Sequence, residues 1–326
     1  MTRLPSIGAL GAPVRDIDDS ASPRVASLIP AGTDIVAALG LGAHLVGVSH
    51  ECDHGVAAGL PVLTTSSLPS AAADEAPLAP TEVDKRVIES VRAGEALYRT
   101  DTKLLASLRP DVVIAQDVCD VCAVPERQVA AELPTDCELV VLRATTLEGL
   151  AADLRAVGRA LGADERAEQQ IAAIRGGHAR VAEIVANRPR PRTLTLEWGD
   201  PPFLGGHWVP ELVHVAGGQH LLVGPGEASR RSTWDEVAAT DPDAIVFMPC
   251  GYSIEAAAAE SRDLLARPEI AQLRAVREGR WWATDATRLF SRCTPAVVTA
   301  VPVLAAILHP EALPAPSGRR AVRVTP

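Results

Sequence analysis

The sequence predicts an α/β protein with two Rossmann-like lobes of mostly parallel sheets, one long connecting helix and a ligand cleft between the lobes. Short apolar segments of strand character alternate with helical segments in both halves of the chain, a pattern typical of parallel sheets with right-handed crossovers. A unit that ends a helix and enters an apolar strand occurs at residues 107–115 and again at 239–247. Between the halves lies a polar-faced helical stretch without strand signals.

The first half begins with a strand-loop-helix pattern. Residues 24–29 form an apolar run and predict a buried strand, which a Pro-Ala-Gly-Thr turn connects to a helix at 34–39. A second short strand at 45–48 leads into the polar loop 49–54, and a third strand is predicted at 112–115. We therefore predict a leader at 1–23 and a first lobe at 24–145.

The second half repeats this plan after a helical connector at 146–190, which Pro189 and Pro191 terminate. Its later part is predicted to be one long helix. Strands are predicted at 192–197, 244–248 and 281–284, and helices at 209–216 and 295–308. The second lobe then covers 191–310, and residues 311–326 form a tail.

Composition and charge exclude several classes of protein. The chain has 326 residues, of which 47% are hydrophobic, enough to bury two lobes of ordinary size. Acidic residues outnumber basic ones, 41 to 31, which gives a net charge of −10 and disfavours nucleic acid as a partner. Neither a signal-peptide core nor an apolar run of about 18 to 20 residues is found, so the sequence predicts a cytoplasmic protein without membrane insertion.

The cysteines follow predicted strands, where loops converge in open parallel sheets. Cys52, Cys119, Cys122 and Cys250 come shortly after strand ends, Cys293 follows one more distantly, and Cys137 is a bystander. A shared zinc or iron–sulfur centre is one interpretation. A redox dithiol and plain packing as small apolar side chains are the others.

The loop 50–54 contains potential ligands or acid–base groups at every position. His50 and Cys52 lie at alternate positions and could reach one metal ion or one edge of a ligand. The alternative is a polar turn in which Glu51 and Asp53 cap the following residues while the histidines are exposed.

An aromatic loop follows the first strand of the second half. Trp198, Phe203 and Trp208 lie in a segment rich in Gly and Pro, together with Glu197 and His207. Such rings predict a wall for a planar or bulky ligand, oriented by the polar pair; packing between the lobes is the alternative. No nucleotide-binding spacing, no Gly-x-Ser-x-Gly elbow and no helix with a His-Glu-x-x-His motif is predicted, so hydrolase chemistry has no support.

Four segments together resemble the cobalamin/iron-complex class of ABC-transporter substrate-binding proteins, in particular a subgroup known as cobalamin-binding proteins. They are RVASLIPAGTDIVAALGLGAHLVGVSHECDH, LYRTDTKLLASLRPDVVIAQDVCDVCAV, LEWGDPPFLGGHWVPELVHVAGG and DPDAIVFMPCGYS. The resemblance implies a rigid cleft that holds a metal chelate such as a corrinoid, heme or siderophore complex. It also implies ligand contacts from Trp198, Phe203, Trp208 and Trp282, with Glu197 or His207 nearby.

Two departures from the family's pattern affect the functional hypothesis. Exported relatives carry a signal peptide or a lipid-anchor cysteine, so a transporter partner is doubtful here. Cys293 and Thr294 replace the subgroup's usual Pro-Gly after Arg292. The leading hypothesis is a cytoplasmic module that binds cobalamin, another corrinoid or a related small-molecule chelate. The alternative is a metalloprotein or enzyme with a cysteine-ligated zinc or iron–sulfur centre in the same cleft.

Overall fold

Two β-sheets organise the residues that the computed structural model describes, which are 23–66, 85–86, 89, 97–118, 133 and 136–325. The strands in this part of the chain are β1 (Val25–Ser27), β2 (Leu45–Gly47), β3 (Thr64–Ser66), β4 (Tyr98–Thr100), β5 (Val112–Gln116), β6 (Glu138–Leu142), β7 (Arg192–Gly199), β8 (Pro202–Leu204), β9 (Gln219–His220), β10 (Arg230–Arg231), β11 (Ala244–Phe247), β12 (Trp281–Thr284) and β13 (Ala321–Val324). The helices are α1 (Pro30–Ala38), α2 (Thr102–Leu108), α3 (Leu147–Ala160), α4 (Asp164–Val185), α5 (Val209–Val215), α6 (Trp234–Ala239), α7 (Ile254–Leu265), α8 (Pro268–Ala271), α9 (Arg274–Arg277), α10 (Ala286–Leu289) and α11 (Val297–Leu308), with short 3-10 turns at Gly42–His44 and Gly55–Ala57.

The first sheet is parallel throughout, in the order β2-β1-β5-β6. Its central strands β1 and β5 are buried almost completely, as expected for parallel strands covered on both faces. Strands β3 and β4 pair separately as a small antiparallel ribbon.

The second sheet has the order β10-β8-β7-β11-β12-β13, with β9 beside β7. Its centre is parallel, because β11 pairs in parallel with both β7 and β12. Strands β8, β10 and β13 run antiparallel to their neighbours. The predicted two-lobed α/β class is confirmed, but the sequence pattern did not indicate these antiparallel strands. Residues 321–324, assigned to the tail, form β13 instead, because they pair with β12.

The repeated unit at the helix-to-strand junctions performs the same task in each lobe. Asp111 Oδ2 accepts a hydrogen bond of 2.7 Å from the backbone N–H of Arg24, next to β1. Asp243 Oδ2 accepts one of 2.7 Å from the backbone N–H of Arg192, at the start of β7. The aspartate of each unit therefore ties the strand that follows it, β5 or β11, to the first strand of its own lobe, β1 or β7.

The helix α4 links the two lobes. It has 22 residues, which makes it roughly 33 Å long. The acidic side chains in its first turn interact favourably with the positive, N-terminal end of the helix dipole. It packs against α3 and α11. Its apolar face recurs every three or four residues, as amphipathic helices require, through Ala167, Ile171, Ile174, His178, Val181 and Val185.

Polar contacts attach α4 to both lobes. Arg166 donates to the carbonyl oxygen of Leu39 at 3.0 Å, and Gln170 donates to that of Ala38 at 2.9 Å, which satisfies carbonyls left unpaired at the end of α1. On the other side, His178 Nε2 lies 3.1 Å from the carbonyl oxygen of Val297 in α11. One hydrophobic cluster includes residues of both sheets and of α4. The connection between the lobes is therefore a packed interface and not a flexible linker.

In the described ranges, no helix combines the length and the apolar character that crossing a membrane requires.

Candidate ligand-binding cleft

The carboxyl ends of the parallel strands carry loops from the two lobes that contact each other. In the first lobe, β1 leads into α1, and β2 leads into the loop 49–54. In the second lobe, β12 leads through α10 into residues 290–296. Arg292 of this last segment binds Asp53 Oδ1 at 2.6 Å and Asp34 Oδ2 at 3.4 Å. Since ligands of open parallel sheets bind at these strand ends, the junction marks the candidate cleft.

Arg292 is the main charge link across the cleft. Its side chain is only 15% exposed, and its Nη2 also donates to the backbone carbonyl of Glu51 at 3.3 Å. Burial raises the pKa of Asp34, and the nearby guanidinium offsets this only in part. Burial also acts to raise the pKa of Asp53, but the hydrogen bond and charge of Arg292 outweigh it and lower that pKa. The two carboxylates thus share one cation in unequal environments.

The loop 49–54 is held by side-chain hydrogen bonds to β3 and β4. His50 Nδ1 lies 2.7 Å from Thr64 Oγ1, and this hydroxyl donates to Ser49 Oγ at 3.0 Å. The hydroxyl of Tyr98 donates to Glu51 Oε1 at 3.2 Å. The predicted polar loop is therefore an ordered wall of the cleft.

The alternative interpretation of this loop as a simple capped turn is wrong in its details. His54 caps the following 3-10 turn, because its Nδ1 accepts a hydrogen bond from the backbone N–H of Val56 at 3.2 Å. Asp53 binds Arg292, and Glu51 binds Tyr98. His50 is mostly buried, with 22% of its side chain exposed.

The predicted cysteine ligands occupy different surroundings. Cys52 is half-buried, with its sulfur 3.1 Å from Thr33 Oγ1. Cys250 is exposed to solvent, and charges of both lobes act on its thiol, from Glu51 in the first lobe and from Glu197 and Arg292 in the second. Cys293 is buried in the hydrophobic cluster. Cys119 and Cys122 lie outside the described residues.

The chemistry of the described thiols favours the protonated form. Burial raises the pKa of Cys52. Desolvation by neighbouring protein atoms raises the pKa of the Cys250 thiol, and the carboxylates of Glu51 and Glu197 raise it further. Burial raises the pKa of Cys293 strongly. Metal binding requires thiolates, and within the described ranges no three His, Cys, Asp or Glu side chains are grouped to hold a metal. A zinc or iron–sulfur centre therefore has no support there.

Part of the predicted aromatic wall is at the cleft. Trp198 lies near the carboxyl end of β7, where its ring makes an edge contact with Tyr252 at 5.7 Å between centroids. Phe203 of β8 is its cross-strand neighbour. Glu197 precedes Trp198, and its charge acts on Cys250. These three predicted residues are close together at one strand end.

The other predicted aromatic contacts are involved in packing. Trp208 is 9% exposed, and its Nε1 donates to the carbonyl oxygen of Phe290 at 3.1 Å. Its ring lies 5.9 Å from that of His207, whose pKa burial lowers. Trp282 lies in the first half of β12 and packs against the larger hydrophobic cluster, away from the carboxyl end of the strand.

Gly206 of the aromatic loop lies directly against the backbone of residues 227–229. A Cβ atom there would come within 2.5 Å of the backbone nitrogen of Ser229 and 2.6 Å of the carbonyl oxygen of Glu227. These backbone atoms cannot move out of the way of a Cβ atom as a flexible side chain could. We therefore expect Gly206→Ala to lower the free energy of unfolding, measured by urea denaturation, by about 1–3 kcal/mol. Gly55→Ala is the matched control, because nothing lies within 4 Å of its added Cβ. Equal stability of both variants would contradict this account.

Sequence reasoning missed the charged part of the cleft. Arg292, Asp34 and Tyr98 were not among the predicted site residues, and Asp53 was considered as a potential ligand or a cap but not as a partner of Arg292. The rule that selected the cysteines, position after a strand end, also applies to Arg292 and Asp34. Arg292 pairs with Asp53 and Asp34, which lie 239 and 258 positions away along the chain. No local sequence pattern encodes this pairing.

A pocket of about 190 Å³ lies elsewhere, between α3 and α4. Its lining is mostly apolar and includes Leu150, Ile171 and His178. None of the loops at the strand ends contributes to it, so topology favours the cleft as the ligand site.

The fold and the cleft together define a two-lobed ligand-binding protein. A family model described as periplasmic binding protein matches residues 25–287, so the chain belongs to the periplasmic binding protein family. The sequence-based resemblance to the substrate-binding class is thereby confirmed at family level.

Solved structures of the same fold include three with known ligand classes. A periplasmic heme binding protein from Pseudomonas aeruginosa has a TM-score of 0.68 and 21% identity, covering 94% of this chain and 99% of that chain. The heme-binding protein of Roseiflexus sp. RS-1 has a TM-score of 0.66 and 21% identity over 89% and 99% of the two chains. The periplasmic vitamin B12 binding protein of Vibrio cholerae has a TM-score of 0.64 and 20% identity over 88% and 96%. At this level of identity the likeness concerns the fold.

Proposed function

We propose that the protein binds a corrinoid such as cobalamin, or a related metal chelate, in the cleft between its lobes. The observation that carries the proposal is the meeting of strand-end loops from both lobes at Arg292, Asp34 and Asp53. Vitamin B12 and heme, the ligands of structural neighbours, are both metal chelates. The packed helix α4 supports a cleft of nearly constant width.

The walls of the cleft supply the contacts that a large chelate needs. Trp198 and Tyr252 form a half-buried aromatic pair at one side, which suits an extended apolar ligand face. Glu51 and His50 from the first lobe and Glu197 from the second offer polar groups. Such groups fix the orientation of a ligand that the rings hold.

A visible absorption spectrum with metal analysis, on protein purified without oxygen, tests the proposal directly. We expect corrinoid bands with stoichiometric cobalt, or saturable binding of added cyanocobalamin in calorimetry. Thiolate-to-iron absorption, or bound zinc without corrinoid binding, would contradict it and favour the cysteine-ligated alternative.

The aromatic pair predicts a specific loss of affinity. We expect Trp198→Leu to weaken cyanocobalamin binding about tenfold in calorimetry, equivalent to about 1.4 kcal/mol, because ring area at the cleft is lost. Trp282→Leu is the comparison variant, since this ring packs against the larger hydrophobic cluster and away from the carboxyl end of β12, and the affinity of this variant should be unchanged. Equal effects of the two substitutions would show that Trp198 acts through general stability.

From the sequence we propose that the protein acts in the cytoplasm. Fractionation of producing cells tests this location. A membrane permease is the typical partner in the family, so co-purification with a permease would instead support a role in transport.

A further inference from the structure

The helices α3 and α4 line the pocket of about 190 Å³ that is separate from the cleft. They are in close contact near the turn that joins them, where a Cβ atom added to Gly158 would lie 2.8 Å from that of Ala167. Further from this turn they leave a space between their facing side chains, since Ala151 of α3 is too short to fill it. The floor of this space consists of side chains that are almost completely buried, which are Leu150, Ala151, Leu154, Ile171 and Ile174.

An exposed ion pair marks the mouth of the pocket. Glu148 Oε2 and Arg175 Nη2 both belong to lining residues and are 2.7 Å apart. Glu148 also lies 3.7 Å from Arg155. The charges of Glu148 and Arg175 compensate each other, and an ionised ligand would lose its water at the apolar floor, which costs free energy. The pocket therefore suits a neutral molecule.

His178 is the buried polar side chain of the lining, with 7% of it exposed. Its Nε2 lies 3.1 Å from the carbonyl oxygen of Val297. This oxygen can only accept, so Nε2 carries the ring proton. Burial lowers the pKa of His178, and the ring is therefore neutral at pH 7. Nδ1 then has an unshared electron pair, and no group of the described residues donates a hydrogen bond to it.

We propose that the pocket between α3 and α4 is a second binding site, for a small neutral aromatic molecule with one O–H or N–H group that donates to His178 Nδ1. An engineered apolar cavity of about 150 Å³ binds benzene, so this pocket has room for one ring with one substituent. A flat ring suits the space between two facing helices. Its apolar faces contact the buried Leu and Ile side chains, and its donor satisfies a buried acceptor that is otherwise unpaired.

A titration with phenol, followed by NMR on protein with labelled Ile and Leu methyl groups and ¹⁵N-labelled histidine, tests the proposal. We expect phenol to shift the methyl resonances of Ile171 and Ile174 saturably. The methyl resonances of Leu194 and Leu264, which belong to the other large hydrophobic cluster, should not move. The ¹⁵N resonance of His178 Nδ1 should move toward that of a nitrogen that accepts a hydrogen bond. No corrinoid is added, so the outcome does not depend on the proposed function.

Fluorobenzene is the control ligand, because it has nearly the shape of phenol but no proton to donate. It should leave the Nδ1 resonance of His178 unchanged. Absence of saturable methyl shifts with phenol would overturn the proposed site. Methyl shifts with phenol that leave Nδ1 in place, or a ring proton found on Nδ1 in the free protein, would overturn the role of His178 and with it the ligand class.

Filling the pocket provides the matching test on the protein. Ala151→Leu adds three carbon atoms to the lining, and we expect it to weaken phenol binding at least tenfold. Ala173→Leu is the matched control, because it adds the same volume at an exposed position of α4, and its phenol affinity should equal that of wild type. Equal phenol affinity in both variants would refute the site. The wild-type titration decides the question if Ala151→Leu does not fold.

Discussion

Replacing Arg292 with methionine is expected to lower the free energy of unfolding by about 3 kcal/mol, measured by urea denaturation at pH 7. Removal of one partner from a largely buried ion pair leaves an uncompensated charge, which costs about 3–5 kcal/mol. Arg292 and Asp34 are 15% and 20% exposed, whereas Asp53 is 44% exposed and water screens part of its charge. The lower end of the range is therefore expected.

Two further variants define the cause of this loss. Adding Asp34→Asn to Arg292→Met removes the stranded carboxylate and should recover part of the stability, a coupling that a double-mutant cycle measures. Arg288→Met is the exposed counterpart, with a side chain that is 74% exposed and 3.7 Å from Asp285. Its removal should cost no more than about 1 kcal/mol. Similar losses for Arg288→Met and Arg292→Met would refute a buried charge link.

His220 is expected to make the stability depend on pH between about pH 6.5 and 4. Its Nδ1 donates to the carbonyl oxygen of Val223 at 2.9 Å, and its Nε2 lies 2.8 Å from Thr195 Oγ1. Both nitrogens are thus satisfied in the neutral ring. Burial lowers the pKa of His220 to about 4, whereas the unfolded chain has the usual value near 6.5.

The sign of the effect follows from proton linkage. Between pH 6.5 and 4 the unfolded chain binds a proton at this ring and the folded protein does not, so stability is fully present above pH 6.5 and falls as the pH approaches 4. The loss amounts to about 3 kcal/mol. We expect urea denaturation of His220→Gln at pH 7 and pH 4 to show a pH-dependent loss smaller by about this amount. Identical pH dependence in wild type and variant would exclude His220 as the cause.

Local sequence patterns predicted much of the architecture because the interactions involved are local or repeated. The connecting helix was predicted from its polar face and its terminating prolines, and α4 now occupies residues 164–185. The Pro-Asp units at 110–111 and 242–243 indicated related halves, and Asp111 and Asp243 make equivalent contacts. The antiparallel strand β13 was missed, since its four residues are defined only by their pairing with β12.

The functional residues were predicted less completely. The strand-end rule indicated the neighbourhood of Cys52 and Cys250, yet the sulfur of Cys52 contacts Thr33 Oγ1, Cys250 is exposed, and no metal-ligand group was found among the described residues. Residue type also does not reveal which face of the sheet a side chain occupies. Trp281 and Trp282 are consecutive, and strand alternation places their side chains on opposite faces. Trp281 is fully buried in the smaller cluster, and Trp282 packs against the larger one.

By itself, the sequence determined the α/β class, the two related lobes, the long connecting helix and the chain segments that border the cleft. These depend on hydrophobic periodicity and on turn residues, which act over a few positions. Only the tertiary structure decided that Arg292 binds Asp34 and Asp53 and that His50 Nδ1 lies within hydrogen-bonding distance of Thr64 Oγ1. Such contacts join distant residues, and their strength depends on burial and on a second partner, which exist only once the lobes have packed together.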